Sequence, residues 1–238
     1  MKYALKGLYA LILAFVLLFV PKIGGWVADL FTYTAIDPDG AFMWISVHHI
    51  VQALIILVII MGMIKVTSIK FHLGFGNQSE GRKYLKRFVL IFSVYTIIAF
   101  AVTIFSSSLQ PFAYPLTARN MGGYLAFQAL LSGPSEELVF RAFSISAFSY
   151  LVSDKRLFRN MSYAVIFSSF IFGIAHVRFS LNPFTVSFST FQVGYAMVLG
   201  YFYGECYERT KGVVFPMIMH SFTNVLMVGL TILFSYFI

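Results

Sequence analysis

The sequence predicts an all-α fold, a polytopic integral membrane bundle of about seven transmembrane helices. Of its 238 residues, 59% are hydrophobic and only 11% are charged, whereas a soluble domain has about 25% charged residues. Apolar runs recur along the whole chain, and a membrane-spanning helix needs about 20 predominantly apolar residues. No strand alternation and no internal repeat stands out. These observations exclude a soluble globular protein.

Seven apolar runs are the candidate spans. In chain order they cover residues 3–20, 41–64, 88–105, 121–152, 161–177, 185–204 and 213–238. At the first run, Lys2 and Lys6 are followed by the apolar residues 8–20, which resembles a secretory signal, but no A-x-A pattern follows Pro21 and Lys22. We therefore expect a retained first helix. No stretch between the runs is long enough to hold a core, so we expect a single membrane domain over residues 1–238.

The distribution of basic residues indicates the orientation of the bundle. The chain has 17 Lys and Arg against 9 Asp and Glu. The amino terminus and the connections 65–87, 153–160 and 205–212 hold 13 of the basic residues, and the alternate connections hold three. Since cytoplasmic loops are enriched in Lys and Arg, we expect the amino terminus in the cytoplasm and the carboxyl terminus outside. Membrane topology accounts for the positive charge, so we expect membrane lipids and no nucleic acid as partners.

Ionisable residues inside the apolar runs are the best indication of function. A charged side chain at mid-membrane costs about 2.5 to 3.5 kcal/mol on insertion scales, so each one needs a partner or a function. Three motifs carry such residues: Ser135-Glu136-Glu137-Leu138-Val139-Phe140-Arg141, Phe172-Gly173-Ile174-Ala175-His176 and His220-Ser221-Phe222-Thr223-Asn224. One buried histidine or one Glu–Arg pair is usually structural. Their coincidence in three short motifs makes a catalytic role about as well supported as a structural one.

Helical spacing separates the roles of the residues in the first motif. Glu137 and Arg141 lie four residues apart on one face, in the order that favours an ion pair. Glu136 points about 100° away around the helix and has no local cation. Burial disfavours its charged form, so we expect Glu136 to accept a proton near neutral pH as a general base. Gly133-Pro134 predicts a break in the helix, with Ser135 as a cap.

Histidines from other runs complete the predicted site. His220 and Asn224 lie four residues apart and can aim polar groups at one point, which suits stabilisation of an oxyanion. His176 is expected to hold or polarise the water that Glu136 activates. The remaining histidines are interpreted as interfacial or solvated; they are His48 and His49 at the start of the second run and His72 in a connection.

The depths of two of these histidines disagree under the predicted span boundaries. At about 1.5 Å of rise per residue, His176 lies roughly 22 Å from the cytoplasmic start of its run and His220 roughly 10 Å from the start of its own. They should lie at one depth. Either the turn at Lys211-Gly212 is sunk into the membrane, or the fifth helix begins earlier, near Leu157.

The three motifs together resemble a known family. Glu-Glu-x-x-x-Arg at 136–141, Phe-x-x-x-His at 172–176 and His-x-x-x-Asn at 220–224 stand in that order on separate apolar runs. They are similar to the CPBP family, the CAAX proteases and bacteriocin-processing enzymes, also called the Abi family or type II CAAX prenyl endopeptidases. The resemblance covers residues 121–228, the expected catalytic core. Residues 1–120 are expected to form amino-terminal transmembrane helices without a recognised motif.

The resemblance implies an all-helical intramembrane endopeptidase. Glu136 and His176 would activate a water, and His220 and Asn224 would stabilise the oxyanion. The supporting residues would be Glu137, Arg141 and Phe172. The substrates implied are hydrophobic or lipidated peptides and proteins, in CAAX-type processing, in bacteriocin or pheromone maturation, or in self-immunity.

Metal dependence is left open by this resemblance, because family members have been described both as metal-dependent and as metal-free glutamate proteases. Zinc would accept Glu136, His176 and His220 as three ligands and keep a fourth position open. However, no H-E-x-x-H pairing presents two ligands on one helix. We favour the metal-free glutamate mechanism and expect no cofactor, with zinc as the alternative.

A non-enzymatic membrane protein is the rival interpretation. An immunity factor, a scaffold or a proton-coupled transporter could use the same buried polar cluster to bind a partner or move a proton. A transporter would more often show two matching interrupted helices in related halves. Here only the fourth run carries a helix-breaking pair, at Gly133-Pro134.

Overall fold

A computed structural model of the chain describes residues 2–158, 161–181 and 184–238. Arg159, one of the basic residues that indicate orientation, lies outside the described residues. The elements are, in chain order, α1 (Lys2–Ala28), α2 (Met43–Val66), α3 (Gln78–Phe105), α4 (Ala118–Phe127), the π-helical turn π1 (Gln128–Ser132), α5 (Gly133–Glu137), the π-helical turn π2 (Leu138–Phe143), α6 (Ser144–Leu151), β1 (Arg156–Phe158), β2 (Met161–Ser162), α7 (Tyr163–Ile174), β3 (Arg178–Leu181), β4 (Phe184–Ser187), α8 (Thr190–Thr210) and α9 (Val214–Phe234). The predicted all-α class is confirmed.

Four helices in the described part of the chain are long and apolar enough to cross a membrane. They are Tyr3–Ala28, Met43–Val66, Gln78–Phe105 and Val214–Phe234. Helix α7 is apolar but has only 12 residues, and α8 has 21 residues but is less apolar. A membrane bundle follows from these helices, and the predicted count of seven transmembrane helices is not confirmed.

The elements from α4 to α6 follow one another without a gap, so the predicted break at Gly133-Pro134 is wrong. Pro134 lies at the start of α5, directly after the π-helical turn π1, and the wider winding of that turn accommodates the proline within the continuous helical segment. The wider turns π1 and π2 lie on either side of α5, and such turns are frequent at functional sites. Ser135 does not cap a helix, because its hydroxyl bonds side chains of α2 instead.

The two strand pairs are short antiparallel hairpins, β1 with β2 and β3 with β4. The sequence does not predict them, because period-two alternation cannot be recognised over two to four residues. The second hairpin connects the end of α7 to the start of α8. Both strand pairs lie in connections between helices and are not part of the helical core.

The basic connections 65–87, 153–160 and 205–212 meet at one end of the bundle. The backbone N–H of Asn77 donates to the backbone carbonyl of Thr210 at 2.6 Å. Arg156 forms an ion pair with Glu208 at 2.9 Å. These contacts join all three connections through their described residues. The three basic connections therefore share one end of the bundle.

The turn before α9 is covered by the connection that follows α2. Gly76 has a φ of +62°, and a Cβ on it would lie 2.1 Å from the carbonyl oxygen of Thr210, so only glycine fits there. The amide of Val213 donates to the carbonyl of His72 at 3.1 Å, and Gly212 is buried. Helix α7 begins at Tyr163, so an earlier start near Leu157 does not explain the depth disagreement. Lys211 in the same turn is exposed, and the alternative of a turn sunk into the membrane stays a prediction.

The packing of α2 and α9 against α5 positions the site. Helix α2 begins where Asp37 accepts the backbone N–H groups of Ala41, Phe42 and Met43 at 2.7 to 2.9 Å. The close approach of α9 to α5 requires a glycine at position 133 of α5. A Cβ at Gly133 would lie 2.8 Å from the Oγ of Ser221 on α9. Polar side chains of three helices are thereby brought into one buried layer.

Candidate active site

A buried ion pair forms the base of the site. The Nε atom of Arg141 lies 3.0 Å from Oε2 of Glu137, and both side chains have no exposed surface. The predicted pair is therefore present. The other oxygen of Glu137 lies 2.8 Å from Nδ1 of His220. Because a carboxylate accepts, Nδ1 of His220 carries the hydrogen, and the neutral ring presents a lone pair at Nε2.

Aromatic rings enclose the guanidinium and the imidazole. The Cζ atom of Arg141 lies 4.6 Å from the ring centre of Phe172 and 5.4 Å from that of Tyr203, within the range of cation–π attraction. Tyr203 also stacks on His220, with 5.0 Å between ring centres and 20° between planes. Its hydroxyl lies 2.8 Å from that of Thr223. These contacts fix the orientation of His220.

Phe172 also contacts both His176 and His220. The ring centres of Phe172 and His176 are 5.0 Å apart, and those of Phe172 and His220 are 5.9 Å apart. The Nδ1 atom of His176 lies 2.8 Å from the carbonyl oxygen of Phe172. Since the carbonyl accepts, the neutral imidazole of His176 presents its lone pair at Nε2.

Glu136 points away from the ion pair and meets two imidazoles. Its Oε2 lies 3.7 Å from Nε2 of His220, and its Oε1 lies 3.9 Å from Nε2 of His49 on α2. Of the described residues, these are the imidazoles within 4.0 Å of this carboxylate; His176 is not among them. With 20% of its side chain exposed, Glu136 is the accessible member of the glutamate pair.

Asn224 contacts the continuous helical segment from α4 to α6, one turn further along α9 than His220 does. Its Nδ2 donates to the Oγ of Ser132 at 3.0 Å, whereas His220 bonds Glu137. The two side chains four residues apart thus contact neighbouring turns of one partner, as their shared face requires.

Comparison with known families decides what this constellation belongs to. Residues 118–226 match the family described as type II CAAX prenyl endopeptidase Rce1-like. This segment belongs to the Rce1-like family. The match covers a little under half of the chain and contains all three motifs, so the predicted family is confirmed. A search of curated proteins and a search of solved structures each returned no match.

The Rce1-like assignment identifies the general activity. Together with the apolar helices, it supports membrane-protease activity of the CAAX type, the hydrolysis of peptide bonds, in general terms. The predicted roles of the individual residues are not decided by it.

His49 lies outside the Rce1-like segment, and its interpretation as an interfacial or solvated residue is wrong. The residue is only 5% exposed. Its Nδ1 lies 2.7 Å from the Oγ of Ser135 and 3.1 Å from Nε2 of Gln52. One signal could have found it, because His49 and Gln52 share a helical face within an apolar run. By contrast, His48 is half-buried and stacks on Trp44.

The residues predicted as zinc ligands do not form a ligand set around the Rce1-like motifs. In the part of the chain that the structure describes, no group of three His, Cys, Asp or Glu side chains has the spacing of a metal site. Glu136 and His220 are 3.7 Å apart, but the second histidine near Glu136 is His49 rather than His176. The donor arrangement therefore does not fit the predicted zinc site.

Proposed function

We propose that this protein is an intramembrane endopeptidase that hydrolyses peptide bonds of lipidated or hydrophobic substrates with a water activated by Glu136. The observation that carries the proposal is the division between two adjacent carboxylates. Glu137 is held by Arg141 and His220, whereas Glu136 is partly exposed and lies between two imidazoles. Only Glu136 is free to exchange a proton with a reacting water.

The proposed reaction needs no covalent intermediate. Glu136 takes a proton from the water while the water oxygen bonds to the scissile carbonyl carbon. The same proton then passes from Glu136 to the leaving nitrogen as the C–N bond breaks. His176 donates its Nδ1 hydrogen to Phe172, so its Nε2 lone pair can accept a hydrogen bond from the same water and orient it.

Asn224 and His220 are the proposed donors to the oxyanion. Nδ2 of Asn224 has two hydrogens, of which Ser132 accepts one, and the second is available to the substrate. His220 donates from Nε2 when it is protonated, and the Glu137 carboxylate at Nδ1 balances that positive charge. Donors fixed in this way lower the energy of the tetrahedral intermediate more than that of the substrate.

A lateral groove supports the proposal of a lipidated substrate. It lies between α3 and α8, has a volume of ≈ 360 Å³, and is lined mainly by apolar and aromatic side chains. Phe88 in its wall lies 5.8 Å from the ring of Tyr203, and Tyr203 stacks on His220. One aromatic layer thus separates the groove from the site. We propose that the lipid of the substrate lies in this groove and the peptide at Glu136.

The substrate proposed on this basis is a peptide with a prenylated cysteine in a C-a-a-X sequence. Bacteriocin or pheromone maturation and self-immunity would involve other hydrophobic peptides. Cleavage of such peptides in place of the prenylated one would favour these alternatives. We further propose a cell-membrane location with a cytoplasmic amino terminus and an outer carboxyl terminus. Convergence of the three basic connections at one end of the bundle supports this orientation.

A peptide-cleavage assay tests this function. The purified protein would be placed in lipid nanodiscs with a fluorogenic peptide carrying farnesyl-cysteine and three further residues, and with the same peptide unmodified. We expect cleavage of the farnesylated peptide, and a loss of at least about 100-fold in Glu136→Ala and His176→Ala. Glu80→Ala, at an exposed surface pair, is the control. Full turnover in either site variant would reject the proposal.

The metal-free mechanism and the rival function have their own tests. Dialysis against a strong chelator should leave activity unchanged, and loss restored by zinc alone would show a metalloprotease. A non-enzymatic immunity factor or scaffold would still complement a deletion strain as Glu136→Ala, whereas a protease would not.

A further inference from the structure

His49 holds a position at the site that the three sequence motifs do not supply. It lies on α2, outside the matched segment, and its Nε2 is 3.9 Å from Oε1 of Glu136. The opposite oxygen of Glu136 faces His220 at 3.7 Å. Each oxygen of the carboxylate thus has its own imidazole, from a different helix.

The hydrogen-bond network behind His49 fixes which ring nitrogen carries the hydrogen. The Nε2 of Gln52 can only donate, and it lies 3.1 Å from Nδ1 of His49 and 2.8 Å from the Oγ of Ser135. The hydroxyl of Ser135 lies 2.7 Å from the same Nδ1. With donors gathered at Nδ1, the neutral ring carries its hydrogen on Nε2, the nitrogen nearest Glu136.

The ring of His49 is also fixed by packing. Its centre lies 5.0 Å from that of Phe127 in an edge-to-face arrangement, and the residue is 5% exposed. Ser135, which bonds the ring, directly precedes Glu136 in the chain. One small network therefore constrains both the backbone at Glu136 and the direction of its side chain.

We propose that His49 is a positioning residue: its Nε2 lies 3.9 Å from Oε1 of Glu136, beyond hydrogen-bond length in this structure, and its N–H closes on that oxygen when substrate binds, so that Oε2 stays directed toward the reacting water. The proposal rests on the function of Glu136 proposed above. A glutamate side chain has several rotamers, and a partly exposed one moves among them unless a donor restrains it. His49 is the donor that α2 contributes. The amino-terminal helices thus take part in the site and do not serve only as a membrane anchor.

Substitutions of His49 test the proposal in nanodiscs with the farnesylated peptide. His49→Phe keeps the ring but removes the donor, so kcat should fall about 10- to 100-fold, the size expected for one hydrogen bond to a charged group. KM should stay within about twofold, since the substrate is not contacted. His49→Gln carries an amide donor near the position of Nε2 and should recover most of the lost kcat. His48→Phe, at the neighbouring half-buried position, is the matched control and should retain activity.

Two variants separate positioning from folding. Ser135→Ala leaves the imidazole in place but removes one of the two partners of its Nδ1, Gln52 being the other, and should lower kcat about three- to tenfold with only a small loss of stability. This variant decides the matter if His49→Phe does not fold. A wild-type kcat in His49→Phe would overturn the proposal, and so would equal losses in His49→Phe and His49→Gln. If His49→Phe does not fold, a wild-type kcat in Ser135→Ala would overturn it. Activity in Glu136→Gln would instead reject the proposed function itself.

Discussion

The Nδ1 atom of His220 lies 2.8 Å from Oε1 of Glu137, the carboxylate that also pairs with Arg141. The other nitrogen of His220 faces Glu136 at 3.7 Å. A single imidazole therefore connects a buried structural ion pair to the proposed proton acceptor. Adjacent glutamates can serve these different purposes because successive residues of a helix point about 100° apart.

Breaking the buried ion pair should be costly. Glu137→Gln leaves the guanidinium of Arg141 fully buried without its counter-charge, and we expect a loss of about 3 to 5 kcal/mol in the free energy of unfolding. Denaturant titration in detergent would measure it. Glu80→Gln, which removes an exposed pair with Lys83, should change stability by less than about 1 kcal/mol. Equal effects of the two substitutions would contradict the assigned burial.

The contact between α5 and α9 predicts a sharp effect at one glycine. In Gly133→Ala the new methyl would lie 2.8 Å from Oγ and 2.9 Å from the backbone nitrogen of Ser221, so the two helices must separate. We expect a loss of about 1 to 3 kcal/mol in stability together with reduced turnover. Gly122→Ala, where a Cβ meets nothing within 4 Å, is the matched control. A Gly133→Ala protein as stable and active as Gly122→Ala would show that this close approach is not required.

The cap of α2 predicts a pH dependence of stability. Burial raises the pKa of Asp37, but the N–H groups of Met43, Phe42 and Ala41 and the charge of Arg119 outweigh it and hold this pKa below its usual range. A carboxyl with a lowered pKa stabilises the fold above its unfolded value, about 3.9, and loses that contribution as the pH falls through the folded value.

We therefore expect Asp37→Asn to destabilise the protein by about 1 kcal/mol at neutral pH. The difference from wild type should shrink as the pH falls below about 4. Unfolding followed by circular dichroism at several pH values would measure it. A difference that stays constant down to low pH would show that the charge of Asp37 is not what caps α2.

The proposed oxyanion donor predicts a kinetic defect with little loss of stability. Asn224→Ala removes an N–H that the substrate oxyanion would accept, and kcat should fall about 100- to 1000-fold. Thr231→Ala, two turns further along the same helix, removes only a bond to the carbonyl of Met227 and should retain activity. Kinetics of the two purified variants make the comparison, and a kcat within a few-fold of wild type in Asn224→Ala would remove this residue from the mechanism.

Short-range spacing predicts part of the site correctly. Glu137 and Arg141 form an ion pair, because residues four apart on a helix share a face. For the same reason, His220 and Asn224 both contact the helical segment from α4 to α6. These relationships are local, so they can be read directly from the sequence. The family assignment adds the order of the motifs but does not supply their distances.

Long-range packing explains what the sequence did not predict. His49 and Ser135 are 86 residues apart, and no local pattern indicates that α2 would lie against α5. The break predicted at Pro134 failed for a different reason, since flanking π-helical turns accommodate the proline. Sequence spacing and residue propensities describe a residue and its neighbours along the chain. The burial of His49 and the tolerance of Pro134 depend instead on the structure that surrounds them.

Isotope labelling in a single turnover tests the central claim most directly. Excess enzyme would cleave the farnesylated peptide in H₂¹⁸O, and mass spectrometry would locate the label. Direct attack by a water that Glu136 deprotonates places ¹⁸O in the new carboxylate of the peptide product and leaves Glu136 unlabelled. Label in the side chain of Glu136, with none in the product, would show that the carboxylate itself attacks the peptide and would contradict the mechanism.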